Sequence, residues 1–353
     1  MNILAIESSC DETACAIVKD GITVAADIVA TSKELHEKTG GVVPEVAARK
    51  QMEFIVPVVE QTLRKVYGDI SEEAFQQNLK IGEGIDFIAV TIGPGLVGSL
   101  IVGVEAAKSL ALTWGKPLIP VNHLIGHIYA NFIEEDGVKK NIEFPAVALL
   151  VSGGHTDLVF MRGHGNFEYI GGTLDDAAGE AFDKTARLLG LSKYLGGVLL
   201  SKKATECTNN VISGKLPRPM ISEDNFDFSF SGLKTAVRRL VEKNDYPVEV
   251  VSCEFENAVC DVLVEKTIRA VKKFGARTLL LGGGVAANKQ LRTRLQKESE
   301  NIEVKFYVPS VELCGDNAIY IGSAAYFVTD IRSDAKKLDE INVNPSLGIM
   351  DVA

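Results

Sequence analysis

Asn2-Ile-Leu-Ala-Ile-Glu7, the polar Ser8-Ser-Cys-Asp-Glu-Thr13 and Ala14-Cys-Ala-Ile-Val18 form the stretch that decides the fold. An apolar run, a polar turn and a second apolar run read as a strand that turns back on itself. Asp20-Gly21 supplies the next hairpin turn, and Ile22 to Ala30 a third strand. The plan returns in the second half. Residues 145–151 (Pro-Ala-Val-Ala-Leu-Leu-Val) are a strand, Ser152-Gly-Gly-His-Thr156 its turn, 157–161 the returning strand and 167–171 the third.

In each half a helix follows, then a strand that runs into glycine. In the first half the helix covers 45–66, with Ile55, Val59, Leu63 and Val66 on one stripe. The strand at 86–91 enters Gly93-Pro-Gly-Leu-Val-Gly98, and a small-residue helix fits 99–113. The apolar Leu118 strand and a helix bearing two histidines come next. In the second half Thr173 opens a helix through Lys184, 191–229 is irregular, and helices fit 231–242 and 248–274. The strand at 277–282 enters Gly282-Gly-Gly-Val-Ala-Ala-Asn-Lys289. A further strand fits 304–309, and a last helix starts near Leu313 and runs to about Val328. Local identity between the halves is slight, but the plan is shared. The expectation is a duplicated α/β unit, with lobe one at 1–143, lobe two at 144–330 and a tail at 331–353 packing back on lobe one. Matching turns would face one another across a cleft at strand carboxyl ends, the usual ligand position in α/β folds.

The bulk numbers fit. A chain of 353 residues suggests about two domains. Hydrophobic content of 46% and charged content of 24% suit a globular protein with a full core. No uncharged apolar segment has the length of a membrane helix. The first residues read as a strand, not a signal peptide. The six cysteines form no CxxC pair, which suits a reducing cytosol and argues against a zinc ribbon or a disulfide framework. A cytoplasmic location follows. The net charge of -10 means that any nucleic-acid contact is a local patch or is shared with partners. The basic pairs Lys202-Lys203, Arg238-Arg239, Lys272-Lys273 and Arg292 with Arg294 are short.

Three kinds of residue carry chemistry. His123 and His127, at i and i+4, share one helix face and make a usable pair of metal ligands. The pair alone fits equally a helix capped by Asn122 with two half-buried histidines. A zinc protease would place Glu directly after the first histidine, where Leu124 stands. The Gly-rich turns Ser152-Gly153-Gly154-His155 and Gly282-Gly283-Gly284 let backbone N–H groups approach an anion without Cβ interference. Either also fits a plain turn. The acidic sets are Asp11 with Glu12, and Asp175, Asp176, Glu180 and Asp183 on the helix after Thr173. Asp175 and Asp176 fit ordinary partners of that helix's dipole. Asp316 fits a helix N-cap as well as a ligand.

Eight motifs then occur in order: Glu7-Ser-Ser-Cys-Asp-Glu-Thr13, Gly93-Pro-Gly-Leu-Val-Gly98, Asn122-His-Leu-Ile-Gly-His127, Val151-Ser-Gly-Gly-His-Thr156, Asp175-Asp-Ala-Ala-Gly-Glu-Ala-Phe-Asp-Lys184, Phe228-Ser-Phe-Ser-Gly-Leu-Lys-Thr235, Gly282-Gly-Gly-Val-Ala-Ala-Asn288 and Cys314-Gly-Asp-Asn-Ala318. Together they resemble the TsaD family of tRNA threonylcarbamoyladenosine transferases, once labelled glycoproteases, over nearly the whole chain.

The resemblance implies an actin-like, two-lobed ATPase-type (ASKHA, ribonuclease H-like) fold. It implies transfer of a threonylcarbamoyl group from threonylcarbamoyl-AMP to the exocyclic amine of adenosine 37 in tRNAs that read codons beginning with A. By resemblance, His123, His127 and Asp316 hold one metal ion, with iron or zinc first and magnesium or manganese also open. Val151, Ser152, Gly153, Gly154, His155, Asp183, Gly197 and Asn288 bind substrate, and Asp11 and Glu12 match a pair tied to activity. Partner proteins of the TsaB and TsaE type are implied, and no membrane. The family's Tyr-Pro-Gly-Gly-Pro reads Tyr194-Leu-Gly-Gly-Val198 here, without its prolines. A small-molecule kinase or ATPase on the same scaffold is the alternative.

Overall fold

Two five-stranded sheets of one topology organise the chain, whose computed structural model describes residues 1–68, 82–209, 211–243, 246–328 and 338–351. In the first sheet β1 (Asn2–Glu7) pairs antiparallel with β2 (Glu12–Lys19), and β2 with β3 (Thr23–Thr31). On its other side β1 runs parallel to β4 (Phe87–Gly93), and β4 to β5 (Leu118–Asn122). The second sheet repeats this. Here β6 (Ala146–Val151) pairs antiparallel with β7 (Thr156–Gly163), and β7 with β8 (Asn166–Gly172). Then β6 runs parallel to β9 (Thr278–Gly282), and β9 to β10 (Lys305–Tyr307). Strands buried on both faces need near-continuous apolar runs. The inner strands β1, β4, β6 and β9 have them, and β6 and β9 are buried along their whole length.

The helices of the first half are α1 (Lys33–Thr39), α2 (Pro44–Tyr67), α3 (Val97–Trp114) and α4 (His123–Tyr129). Those of the second are α5 (Ala178–Leu188), α6 (Gly197–Ala204), α7 (Ser231–Lys243), α8 (Val248–Phe274) and α9 (Lys289–Asn301). The last is α10 (Ile319–Val328). In the first unit Leu4, Ile6, Cys15 and Ile17 of the sheet bury against Ile55, Val58 and Leu63 of α2 and Val104 and Ala107 of α3. In the second, Val147, Leu149 and Leu281 bury against Val251, Phe255 and Val259 of α8 and Phe182 of α5. Each such large apolar side chain stabilises its unit by about 1.5–3 kcal/mol.

The compact units are Met1–Asn141 with Gly315–Ala353, and Ile142–Cys314. The expected second lobe ran to 330, so its end is corrected. α10 leaves that lobe because it packs on β1, β2 and α4 of the first unit. Part of the expected tail, 331–337, lies outside the described residues. Beyond it, Asn344 N–H donates to Ile92 O at 2.7 Å, Pro345 O accepts from Gly95 N–H at 3.1 Å and Gly348 O accepts from Asn122 Nδ2 at 2.8 Å.

Two local readings are also corrected. The helix after Thr173 starts only at Ala178, so Asp175 and Asp176 precede it. Asp175 instead accepts from Ser229 and Ser231 hydroxyls and from the N–H groups of Phe230 and Ser231 at the start of α7. Asp176 pairs with Lys184 at 2.7 Å. The stretch 191–229 contains a helix, α6, hidden in sequence by its neighbouring glycines. Among the described residues one helix, α3, is long and apolar enough to cross a membrane. It packs on β4 and α2, and Glu105 and Lys108 pair on its exposed side at 2.9 Å.

Candidate functional site

The first unit gathers its chemistry where β1, β4 and β5 end. β5 is wholly buried and stops at Asn122, whose side chain accepts from Leu124 N–H at 2.9 Å. That cap starts α4 at His123, and α4 is buried along all seven residues. Both histidines therefore lie inside the unit and not half-exposed on its surface. Their rings stand edge to face with centroids 4.6 Å apart. Gly126 lets α10 come close: a Cβ there would meet the Tyr320 ring at 2.6 Å.

α10 brings the third group. Its cap is Asn317, which accepts from Ile319 N–H at 3.0 Å and Tyr320 N–H at 3.3 Å. Asp316 is thus released from capping. Its Oδ1 lies 3.5 Å from His127 Nε2 and 3.7 Å from His123 Nε2. One donor atom from each of His123, His127 and Asp316 falls within 4.8 Å of the others. Donors bound to one ion at roughly 2.0–2.2 Å stand roughly 3 Å apart, so small side-chain shifts close this set around a cation. The chemistry fits too: two imidazoles and one carboxylate suit a borderline divalent or ferric ion.

Carboxylates crowd these histidines. Glu7, at the end of β1, is fully buried. Its Oε1 accepts from Ser9 N–H at 2.6 Å, and its Oε2 from the Thr91 hydroxyl. The same Oε2 lies 3.1 Å from His123 Nδ1. Burial works against the charge of Glu7, yet the neighbouring His123 holds it below the usual carboxylate range. Burial likewise disfavours a charged His123, but Glu7 and Asp316 raise it to about 9. His127, buried and beside a charged neighbour ring, is lowered. Its Nδ1 has no hydrogen-bond partner. Asp316, despite burial, is held well below the carboxylate range by the two imidazoles. Asp11 and Glu12 are both buried, and Glu12 meets the Lys33 ammonium of α1. Burial, then Asp316 and Asp11, push Glu12 up to about 9 in spite of that lysine.

The second unit brings its motif residues into one linked row. β6 ends at Val151, and Ser152 to His155 turn the chain, with Ser152 N–H donating to His155 O at 2.9 Å and His155 N–H to Ser152 Oγ at 3.1 Å. Gly153 and Gly154 are exposed, with open space where a Cβ would stand. Gly283, at φ +90°, passes so close to Val151 that a Cβ would meet its carbonyl oxygen at 2.4 Å. Gly179 of α5 makes a similar approach to Ser152 O. Further along α5, Asp183 Oδ1 accepts from Gly197 N–H, the first residue of α6, at 2.8 Å. This bond and the backbone of Gly196 partly offset the burial that raises Asp183. Asn288 caps α9 by accepting from Leu291 N–H at 2.8 Å. Its Nδ2 donates to Ser201 Oγ of α6 at 3.0 Å and to Glu256 Oε1 of α8 at 2.6 Å.

Sequence reasoning gave no role to Glu7, Thr91, Lys33, Tyr320, Ser201 or Glu256. Glu7 had a signal, since it is a charge ending the apolar run of a buried strand. The partners of the others follow from tertiary packing alone. Lys272 and Arg294 line one groove with Arg218, Arg269 and Lys297, but also with Asp261, Glu265 and Glu298. Arg218 and Arg294 are both spent on Asp261.

Comparison with known proteins gives the chain a family. A family profile described as TsaD, tRNA N6-adenosine threonylcarbamoyltransferase, matches residues 23–323. Proteins of that name are similar along almost the whole chain. That of Moorella thermoacetica is 50% identical, with 98% of this chain and 96% of the relative covered. That of Bacillus subtilis is 47% identical, with 92% and 89% covered. Among solved structures, full-length HypF in its phosphate- and nucleotide-bound form aligns at TM-score 0.61 and 14% identity, covering 95% of this chain and 47% of HypF. Component A of (R)-2-hydroxyglutaryl-CoA dehydratase from Acidaminococcus fermentans aligns at 0.51 and 16%, covering 95% and 100%. These structural likenesses place both sheets in the actin-like ASKHA fold.

Proposed function

The chain belongs to the TsaD family, the tRNA N6-adenosine threonylcarbamoyltransferases, and from that premise we propose which transfer it performs and with which residues. The donor is threonylcarbamoyl-AMP, and the acceptor is the exocyclic amine of adenosine 37 in tRNAs that read codons beginning with A. His123, His127 and Asp316 hold one metal ion, iron or zinc before magnesium or manganese. When bound, such an ion supplies Lewis-acid polarisation of a substrate oxygen. The observation that carries this reading is the meeting of the three donor atoms within 4.8 Å.

The second unit's row binds the AMP part. N–H groups of the open Ser152-Gly153-Gly154 turn hold the phosphate, which leaves as the acyl group departs. Val151 and His155 fix the ends of that turn. Asp183, braced by Gly197, takes the ribose hydroxyls. Asn288 spends both amide hydrogens on Ser201 and Glu256, so the free lone pair of its oxygen accepts from the adenine amine. In the first unit Asp11 or Glu12 accepts the proton released by the attacking amine, Glu12 only when ionised, because burial and Asp316 raise it to about 9. The amine is a weak nucleophile, so holding it against the acyl carbon contributes more than base strength.

The chain carries a net charge of -10, and partner proteins of the TsaB and TsaE type supply part of the tRNA contact. A cytoplasmic setting suits that substrate. The test is a reconstitution with purified chain, partner proteins, tRNA and threonylcarbamoyl-AMP, read by mass spectrometry of tRNA nucleosides. Threonylcarbamoyladenosine forms with the wild-type chain and not with His123→Ala. ATP turnover on a small phosphate acceptor with unmodified tRNA would instead establish the kinase alternative.

A further inference from the structure

The two histidines of α4 are held differently. His127 keeps Nδ1 buried and without a hydrogen-bond partner. His123 Nδ1 lies 3.1 Å from Glu7 Oε2, and the Ser9 hydroxyl lies 3.3 Å from the same nitrogen. The ring of His123 is thus tied from behind, with its Nε2 turned to Asp316. We propose that Glu7 is a positioning residue for the metal centre: its carboxylate accepts the Nδ1 proton of His123, fixes the ring and its tautomer, and so presents Nε2 as the donor atom. The proposal rests on the reading of His123, His127 and Asp316 as a metal set.

The structure around Glu7 fits an orienting anchor better than a spare charge. A fully buried carboxylate without partners would be strongly disfavoured. Glu7 has a donor for each oxygen besides the histidine: Ser9 N–H on Oε1 and the Thr91 hydroxyl on Oε2. These two come from the turn after β1 and from the inner strand β4. They lock the carboxylate plane before the histidine is considered. Ser8 braces the turn, its hydroxyl donating to Ser99 O at 3.0 Å. Glu7 does not itself reach the donor set, because its oxygens are occupied on the far side of the ring. Its effect passes through His123. Metal-bound histidines commonly need such a partner on the other ring nitrogen, and losing it weakens binding about ten- to a hundredfold.

The experiment measures zinc affinity of the full chain by chelator competition, for wild type, Glu7→Gln, Glu7→Asp and Thr91→Val. It also records the Nδ1 proton of His123 by NMR of the zinc-loaded chain. Glu7→Gln keeps the shape and removes the charge; Glu7→Asp keeps the charge and withdraws it from the ring. Both are expected to bind zinc about ten- to a hundredfold more weakly. Thr91→Val also loosens Glu7 but leaves the histidine contact, so its affinity stays close to wild type. In the wild type the Nδ1 proton lies far downfield, as a carboxylate-held imidazole proton does, and it moves upfield in Glu7→Gln. Equal zinc affinity in wild type and both folded Glu7 variants, or a His123 proton unmoved by Glu7→Gln, would overturn the proposal. Should Glu7→Gln fail to fold, Glu7→Asp decides by the same two readings. A wild-type chain that takes up no zinc, iron, manganese or magnesium removes the metal reading itself, a result distinct from a silent Glu7.

Discussion

The turn after β1 and the turn after β6 hold the same place in the same topology, yet they are built in opposite ways. Ser8, Ser9, Asp11 and Glu12 are all buried; Ser9, Asp11 and Glu12 join a charged cluster with His123, Asp316 and Lys33, while Ser8 braces the turn on Ser99 O. Gly153 and Gly154 are exposed, carry no side chain and offer only backbone N–H groups. One duplicated frame thus supports a buried, side-chain site suited to a cation and an open, backbone site suited to an anion. The difference lies in which neighbours each turn receives. The first gets α4 and α10, whose close packing carries two histidines and an aspartate inward. The second gets α5, α6 and α9, whose N-terminal ends bring glycines and capping residues.

The largest effect expected from this contrast is in the first unit. Asp316→Ala removes the carboxylate of the proposed metal set and is expected to lower tRNA modification by about a thousandfold or more, about 4 kcal/mol of barrier. Metal content measured by mass spectrometry falls with it, while circular dichroism stays native. Retained metal and activity would break the assignment.

Next comes Gly283→Ala in the second unit. At φ +90° and with Val151 O 2.4 Å from the added Cβ, the strand end must shift. The expected loss is about 2–3 kcal/mol of stability, with weaker nucleotide binding and unchanged metal content. Denaturant unfolding and metal analysis on the same sample separate the two regions.

Asn288→Ala is milder. It deletes the cap of α9 and the acceptor proposed for the nucleotide, and is expected to raise KM for threonylcarbamoyl-AMP about tenfold, about 1.4 kcal/mol. Loss of the cap costs about 1 kcal/mol of stability besides. An unchanged KM would leave Asn288 as a cap alone.

The last effect is on stability alone and depends on pH. Asp157, at the start of β7, is raised by burial to about 6, with the Tyr169 hydroxyl 3.3 Å away as a partial offset. Its folded value lies above the unfolded one, so its ionisation costs stability as pH rises from about 4 to about 6, and the cost persists above. Asp157→Asn is therefore expected to gain about 1–3 kcal/mol at pH 8 and nothing below pH 4. Thermal unfolding at the two pH values checks this; an equal gain at both would refute the burial account.

Much of this was legible in the chain. Apolar runs broken by Glu7-to-Thr13 and by Ser152-to-Thr156 announced both sheets, because strands buried on two faces have few other compositions. The long helix α8 was read at its observed ends, Val248 and Phe274, and the structure caps it with Pro247 and Gly275. Asp175 misled because a short acidic residue suits any nearby helix start, and only the tertiary fold selects α7. The α6 helix was obscured because Gly196 and Gly197 read as loop. Glu7 and Glu256 were passed over because a single carboxylate in an apolar strand or helix does not name its partner.

The most direct measurement is the threonylcarbamoyladenosine content of total tRNA in cells depleted of this chain and complemented with wild type or with Asp316→Ala. The modification should disappear on depletion, return with the wild-type gene and stay absent with the Asp316→Ala gene. Modification that persists without the chain, or that Asp316→Ala restores in full, would contradict it.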